Sequence, residues 1–411
     1  MKMHKKINIL TLAGLLAITY LSGLHAVQFA PYYDFKLTQG VSVPSRGTPE
    51  FTLCLANDLG FIARVHPKHS IVAFYELKYI GPSINRDGSS IRSLEGSSFT
   101  DRYIDYLFIV RHSWVYSKMF TFKTQVDSMI ENTRTGANEA WGYGLYDFNR
   151  TGLMFSADMT FETFKLDASI QYSLLDFPNY TDLLGELQAG AGDGESQTGK
   201  QNHNILQIRS NLKYKGNKFS LGTTMQSYLK QKVVTSVVQA NGTYYSAELQ
   251  KENLISIGVE RKQKVSEFLI LSPYLSYKIK DSNQNYQHFT TAGSSVPVAY
   301  QGDYYDYTEL TVGLPMIFIL SEKWDLILTP ELSQKNYSSR PPLDANNNFT
   351  DGKQANNLML MNVAFEKKSS EVARWALFYS YQQQASNVRF EKYLPYNYSG
   401  SFFGIKYSLR Y

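Results

Sequence analysis

From residue 27 onward, apolar and polar residues alternate along the chain. In 164–174, Phe164, Leu166, Ala168, Ile170, Tyr172 and Leu174 alternate with Lys165, Asp167, Ser169, Gln171 and Ser173 without exception. That period of two marks a strand with one greasy and one wet face. Residues 119–130 set Phe120, Phe122 and Val126 against Thr121, Lys123, Gln125 and Asp127. Residues 206–214 and 403–411 repeat the pattern. Helical three-four spacing is nowhere sustained beyond the first segment. These runs extend over ten or more residues, where soluble sheets use about 5–6 and about 9–11 tilted residues cross a bilayer. Charges of both signs sit on one face while the other is nearly charge-free, the pattern of an apolar exterior and a polar lumen. The expectation is an all-β fold: a transmembrane antiparallel up-and-down β-barrel, closed because hydrocarbon leaves no partner for an open edge.

Connections set the topology. Seven short ones (65–70, 116–118, 162–163, 215–218, 261–267, 321–323 and 366–371) alternate with longer Gly/Asn/Asp/Ser-rich stretches at 81–101, 131–145, 177–203, 234–243, 281–302, 337–356 and 386–398. The alternation predicts short periplasmic turns and long extracellular loops around about sixteen strands. The first strand is expected at 29–37 despite Pro31, followed by a loop over 38–50, with a bulge at Asn57-Asp58. Trp114, Tyr116, Phe161, Phe164, Tyr214, Phe219, Phe318, Trp324 and Tyr411 cluster near the short turns, where a periplasmic aromatic girdle belongs.

The start of the chain reads differently. Lys2, Lys5 and Lys6 precede a nearly uninterrupted apolar stretch over 7–21, then Ser22-Gly23-Leu24-His25-Ala26. Basic, apolar and small-residue regions in that order predict a signal peptide over 1–26, leaving 27–411 as the barrel. The net charge of +5 falls to +2 without those three lysines, which removes any case for nucleic acid. A single cysteine, Cys54, excludes an intrachain disulfide framework and a multi-cysteine zinc site. The 31 Tyr and 24 Phe are more than a disordered chain carries.

The last nine residues, Phe403-Gly404-Ile405-Lys406-Tyr407-Ser408-Leu409-Arg410-Tyr411, end in an aromatic with apolar residues at every second position before it. In this and in its whole architecture the chain resembles the Gram-negative outer-membrane β-barrels, which usually end in Phe where this one has Tyr411. The resemblance implies an outer-membrane location, contact with membrane lipid and a partner in the barrel-assembly machinery. It leaves a homotrimer open and locates no interface. A TonB-dependent receptor with a plug, an autotransporter and a two-domain peptidoglycan anchor are not expected from the residues of this sequence, and a porin-like channel for small, mostly hydrophilic solutes is the favoured expectation. Two alternatives stand beside it: a barrel-embedded hydrolase at the outer surface, and an adhesin or receptor with a closed lumen.

Alternation puts Arg111, Lys123, Asp127, Asp158, Lys165, Asp167, Arg209, Lys213, Glu309, Glu331 and Arg374 on the lumen face. Charges along a narrow path govern which solutes enter, and here their signs nearly balance. The 177–203 loop is the candidate constriction, with a short helix at 181–187 and with Asp182, Glu186, Asp193 and Glu195 facing basic residues across the lumen. No cofactor, metal or catalytic group is expected. His66 and His69 sit in a predicted turn without a third ligand nearby in sequence. Residues 344–355 fail the calcium-loop pattern at Phe349 and Ala355. His112 and Ser113 are strand neighbours and so point to opposite faces. His203 and His288 lie at or in long loops, within reach of loop acids such as Asp176, Asp182 or Glu186.

Overall fold

The computed structural model describes residues 28–82, 102–134, 140–181, 199–240, 242–289, 297–391 and 396–411. The segment expected to be a signal peptide lies outside them, as do Asp182, Glu186, Asp193 and Glu195.

Twenty-one strands follow one another. The first ten are β1 (Gln28–Pro44), β2 (Glu50–His66), β3 (His69–Ile80), β4 (Arg102–Val115), β5 (Phe120–Arg134), β6 (Phe148–Thr160), β7 (Phe164–Asp176), β8 (His203–Tyr214), β9 (Asn217–Val234) and β10 (Tyr245–Arg261). Then come β11 (Gln263–Ser266), β12 (Leu269–Leu271), β13 (Tyr274–Ser282), β14 (Tyr286–His288), β15 (Ala299–Gln301), β16 (Tyr307–Gly313) and β17 (Met316–Ile319). The last four are β18 (Trp324–Tyr337), β19 (Ala355–Lys368), β20 (Ala373–Ser386) and β21 (Tyr398–Arg410). Strands β14 and β15 form a separate hairpin, and the other nineteen make one antiparallel sheet. β11 prolongs β10, β12 leads into β13, and β16 into β17, so the wall has sixteen staves.

The sheet closes on itself. β1 pairs β21 from Asp34 opposite Arg410 to Pro44 opposite Gly400. The backbones meet tightly where Gly40 faces Gly404: a Cβ at Gly404 would run into the Gln39 carbonyl. Pro31 is tolerated because the β1 residues before Tyr33 pair only with β2, the closing contacts beginning where Tyr33 and Tyr411 exchange backbone hydrogen bonds, and such one-sided stretches are where a strand accepts proline.

The structure corrects several boundaries. β1 runs on to Pro44, so the 38–50 loop shrinks to five residues, 45–49. Val41 and Val43 keep the outward period, while Thr38, Gly40, Ser42 and Pro44 give the stretch its loop-like composition. Asn57 and Asp58 sit in unbroken register, and the irregularity of β2 falls at Arg64/His66 instead. The turn expected over 261–267 is strand as far as Ser266. Pro273 and Pro315 interrupt neighbouring staves at one level, where their carbonyls accept the N–H groups of Arg261 and Ser272 at 3.0 and 2.8 Å. The ladder thus continues across residues that cannot donate.

Outside, the wall is apolar: Leu153, Phe155, Ile170, Leu174, Ile257, Leu332 and Ile405 are all exposed. Near the short turns aromatic rings pack on one another, as in Trp114–Phe122 at 5.8 Å, Phe161–Phe164 at 4.4 Å and Trp324–Phe365 at 4.6 Å. The buried apolar groups lie inside. Phe378 packs edge-on to Phe402 at 4.8 Å against Ala364. Phe148, Leu175, Phe177, Tyr180 and Ile205 cluster near the extracellular end.

Candidate functional site

Register and exposure together define the inward face. Val126 is 40% exposed and Asp127 only 1%, so along β5 the apolar residue faces out and the carboxylate in. Extending that parity across the paired strands puts all eleven residues predicted to line the lumen on the inner face.

Most of them are tied along the wall. Arg111 donates to Gln125 Oε1 at 2.9 and 2.6 Å, and Gln125 passes the link to Asp127 at 3.3 Å. Asp127 also accepts from Arg150 at 3.1 Å and Gln171 at 3.2 Å. It fits because Gly152 stands directly opposite; a Cβ there would press on both carboxylate oxygens at 2.8 Å. Lower down, Lys123 meets Asp158 at 2.5 Å and Asn211 donates to Asp167 at 2.7 Å. On the far side Glu309 takes Lys278 at 2.6 Å and Lys335 at 3.6 Å, Tyr274 donates to Glu331, and Arg374 pairs Glu366 at 3.0 Å. Arg410 holds Asp34 at 2.6 Å across the closing seam. Among the described residues Arg209 reaches only Gln207, at 3.2 Å. Lys165 and Lys213 make no ion pair among the described residues.

The extracellular end carries a collar that period-two reasoning misses. Tyr286 stacks on Tyr304 at 4.3 Å, and Tyr304 meets Tyr305 at 5.2 Å. The Arg340 guanidinium lies over Tyr304 at 4.5 Å and Tyr337 at 4.8 Å, and donates to the Tyr396 hydroxyl at 3.0 Å. His288 stacks on Phe349 at 4.3 Å while its Nε2 bonds the Asn347 carbonyl at 2.6 Å. Burial pushes the hydroxyls of Tyr286, Tyr304 and Tyr305 above their ordinary range, with Arg340 opposing. Beside them, loss of water lifts the Asp306 carboxyl to about 6, although the Ser282 N–H bonds it at 2.7 Å. Both stems of the 177–203 loop join this end. Phe177 and Tyr180 enter the apolar cluster, and buried Lys200 donates to the Tyr245 hydroxyl at 2.9 Å. The candidate constriction carboxylates between those stems lie outside the described residues. A signal for the collar exists in the sequence, the tyrosines at 300, 304, 305 and 307 in a polar loop, but it does not name their partners.

Among the described residues His69, His112, His203 and His288 find partners other than acids, while Asp182 and Glu186 lie outside them. His69 Nδ1 lies 3.1 Å from His112 Nε2 on the outer face, beside Trp114. That leaves Ser113 on the other face, away from His112. His203 bonds the Gln201 carbonyl at 2.7 Å between Phe177 and Tyr228, and Asp176 is taken by Asn202 at 2.5 Å. Asp344 accepts N–H groups from Asn346 at 2.8 Å and Asn348 at 2.9 Å, which hold its carboxyl below the ordinary range. This is turn chemistry. Among the described residues no three His, Cys, Asp or Glu side chains gather in an arrangement able to hold a metal.

A closed antiparallel wall, apolar outside, charged inside and girdled by aromatics at the short turns, defines a β-barrel of the outer-membrane class. No protein-family model matches the chain, and no curated protein matches it in sequence. Among solved structures it is similar to a loop-L8 deletion mutant of OmpT from Vibrio cholerae (10% identity, TM-score 0.46, covering 94% of this chain and 100% of that one). It is also similar to an anion-selective porin from Comamonas acidovorans (11%, 0.46, 93% and 100%) and to OccK8 (OprE) of Pseudomonas aeruginosa (9%, 0.45, 92% and 98%). These are likenesses of overall form at low identity; the strand register itself establishes the fold.

Proposed function

We propose that this protein is a passive channel in the outer membrane of a Gram-negative bacterium, admitting small, mostly hydrophilic solutes without energy coupling. One observation carries the reading. The inner face of a sixteen-stave wall is lined with charges whose partners lie along the wall, as in the Arg111–Gln125–Asp127–Arg150 chain. Side chains held flat against their neighbours leave the axis to water, and barrels of about 16–18 strands are wide enough for an aqueous path. The 177–203 loop is the candidate constriction, so deleting 181–195 is expected to raise conductance; an unchanged value removes that loop from the account. The protein is not an enzyme. Its last nine residues are read by the barrel-assembly machinery.

Liposome swelling tests the proposal. Vesicles carrying the refolded barrel swell in small sugars, and the rate falls with solute size. An inserted barrel that gives no swelling overturns it. The collar of buried tyrosines supports a second reading, a surface receptor with a closed lumen. In that case swelling is absent until Arg340 is replaced by Ala.

A further inference from the structure

The near balance of signs over the whole lumen does not hold where β7, β8 and β9 reach its periplasmic end. Lys165 on β7 stands directly opposite Lys213 on β8, and Lys213 directly opposite Lys218 on β9. Three ammonium groups therefore line one row across three adjacent staves. Like charges placed opposite one another destabilise a sheet. Lys215 and Gly216, both in the left-handed region at φ 46° and 81°, make the tight turn that joins β8 to β9. Lys262 follows β10 and bonds the Gly216 carbonyl through its own N–H at 3.1 Å. These five lysines line a cavity of about 440 Å³ with only two acids, Glu162 and Glu260. Glu260 lies 3.6 Å from Lys218, and among the described residues Lys165, Lys213 and Lys262 have no carboxylate partner. Phe161, Phe164 and Tyr214 border the same cavity at the strand ends, with Phe164 and Tyr214 on the opposite face of the wall from the lysine row.

We propose that this rim cavity binds a small phosphate ester. Lysine binds phosphate as a point charge, whereas planar bidentate capture of carboxylates favours arginine, and no arginine lines the cavity. The volume suits a small organic molecule, with its phosphate on the lysine row. The occupant is a free solute and not a lipid headgroup, because Lys165, Lys213 and Lys218 face the lumen. The site deepens the channel reading, since the mouth is where a solute leaves the lumen.

The test is equilibrium binding of phenyl phosphate to the mature barrel in phosphatidylcholine nanodiscs, by calorimetry, with inorganic phosphate in parallel. Saturable binding of both is expected, weakening as salt rises. The variant carrying Lys165→Gln, Lys213→Gln and Lys218→Gln, shown folded by its heat-modifiable gel mobility, should bind at least tenfold more weakly. Lys353→Gln, in an extracellular loop, should bind as the parent does. Equal affinity of triple variant and parent overturns the site. So does loss of binding when phosphatidylglycerol replaces phosphatidylcholine, which assigns the cavity to a headgroup. Binding needs no open pore: a silent barrel that binds phenyl phosphate sinks the channel reading and keeps the site, whereas a conducting barrel that does not bind sinks the site alone.

Discussion

Between β4 and β8 each strand meets the next without a register shift, and polar side chains there find partners on adjacent strands. The collar works otherwise. Arg340 reaches Tyr396 across 56 residues and His288 reaches Asn347 across 59, each contact closing its own loop. In the wall one pairing fixes its neighbours, so a local defect spreads. In the collar each contact meets its own closure entropy, so the collar opens locally while the wall holds.

Four changes press on that difference. The largest effect belongs to the seam: Gly404→Val drives a side chain into the Gln39 carbonyl and should cost more than about 3 kcal/mol. The folded, heat-modifiable gel band is then lost, and a normal band would show that closure does not depend on this approach. Asp127→Ala strips the acceptor from Arg150 and Gln171 and should cost about 3 kcal/mol, read as a lower denaturant midpoint for the whole barrel. Arg340→Ala removes a cation from two tyrosine faces, about 1–2 kcal/mol. It should speed proteolytic nicking of the extracellular loops while leaving the wall's midpoint unchanged. If both move together, the two regions are one cooperative unit.

The smallest effect is a pH dependence. The Asp306 carboxyl, at about 6 when folded against an ordinary 3.8, binds its proton more tightly in the collar than in the unfolded chain. Its contribution to stability is therefore fully present below about pH 4 and is lost as pH rises through about 6. The protection factors of residues 283–289 and 297–306, which divide out the intrinsic pH dependence of exchange, should be higher at pH 5 than at pH 7.5, and Asp306→Asn should flatten the difference.

The wall was legible because a strand's period of two says which residues share a face without naming the partner strand. Residues 164–174 show it unbroken, and β7 follows them. Pro273 and Pro315 hid strand continuity, since proline reads as an end when neighbouring backbone N–H groups still reach its carbonyl. Thr38 to Pro44 read as a loop by composition, although pairing to both β2 and β21 holds most of them extended. The longest collar contacts and the His69–His112 contact stayed hidden for another reason. Arg340–Tyr396, His288–Asn347 and His69–His112 join residues 56, 59 and 43 positions apart, and no periodicity carries that information. The lysine row needed register: Lys165 and Lys213 are both visible as inward residues, but only strand pairing makes them neighbours.

The most direct test of the central claim is single-channel recording of the refolded mature barrel in a planar bilayer. The account predicts stepwise openings whose conductance rises with Arg340→Ala, because the wall keeps an aqueous path and the collar narrows it. A barrel that inserts fully and stays silent, in parent and variant alike, would contradict it.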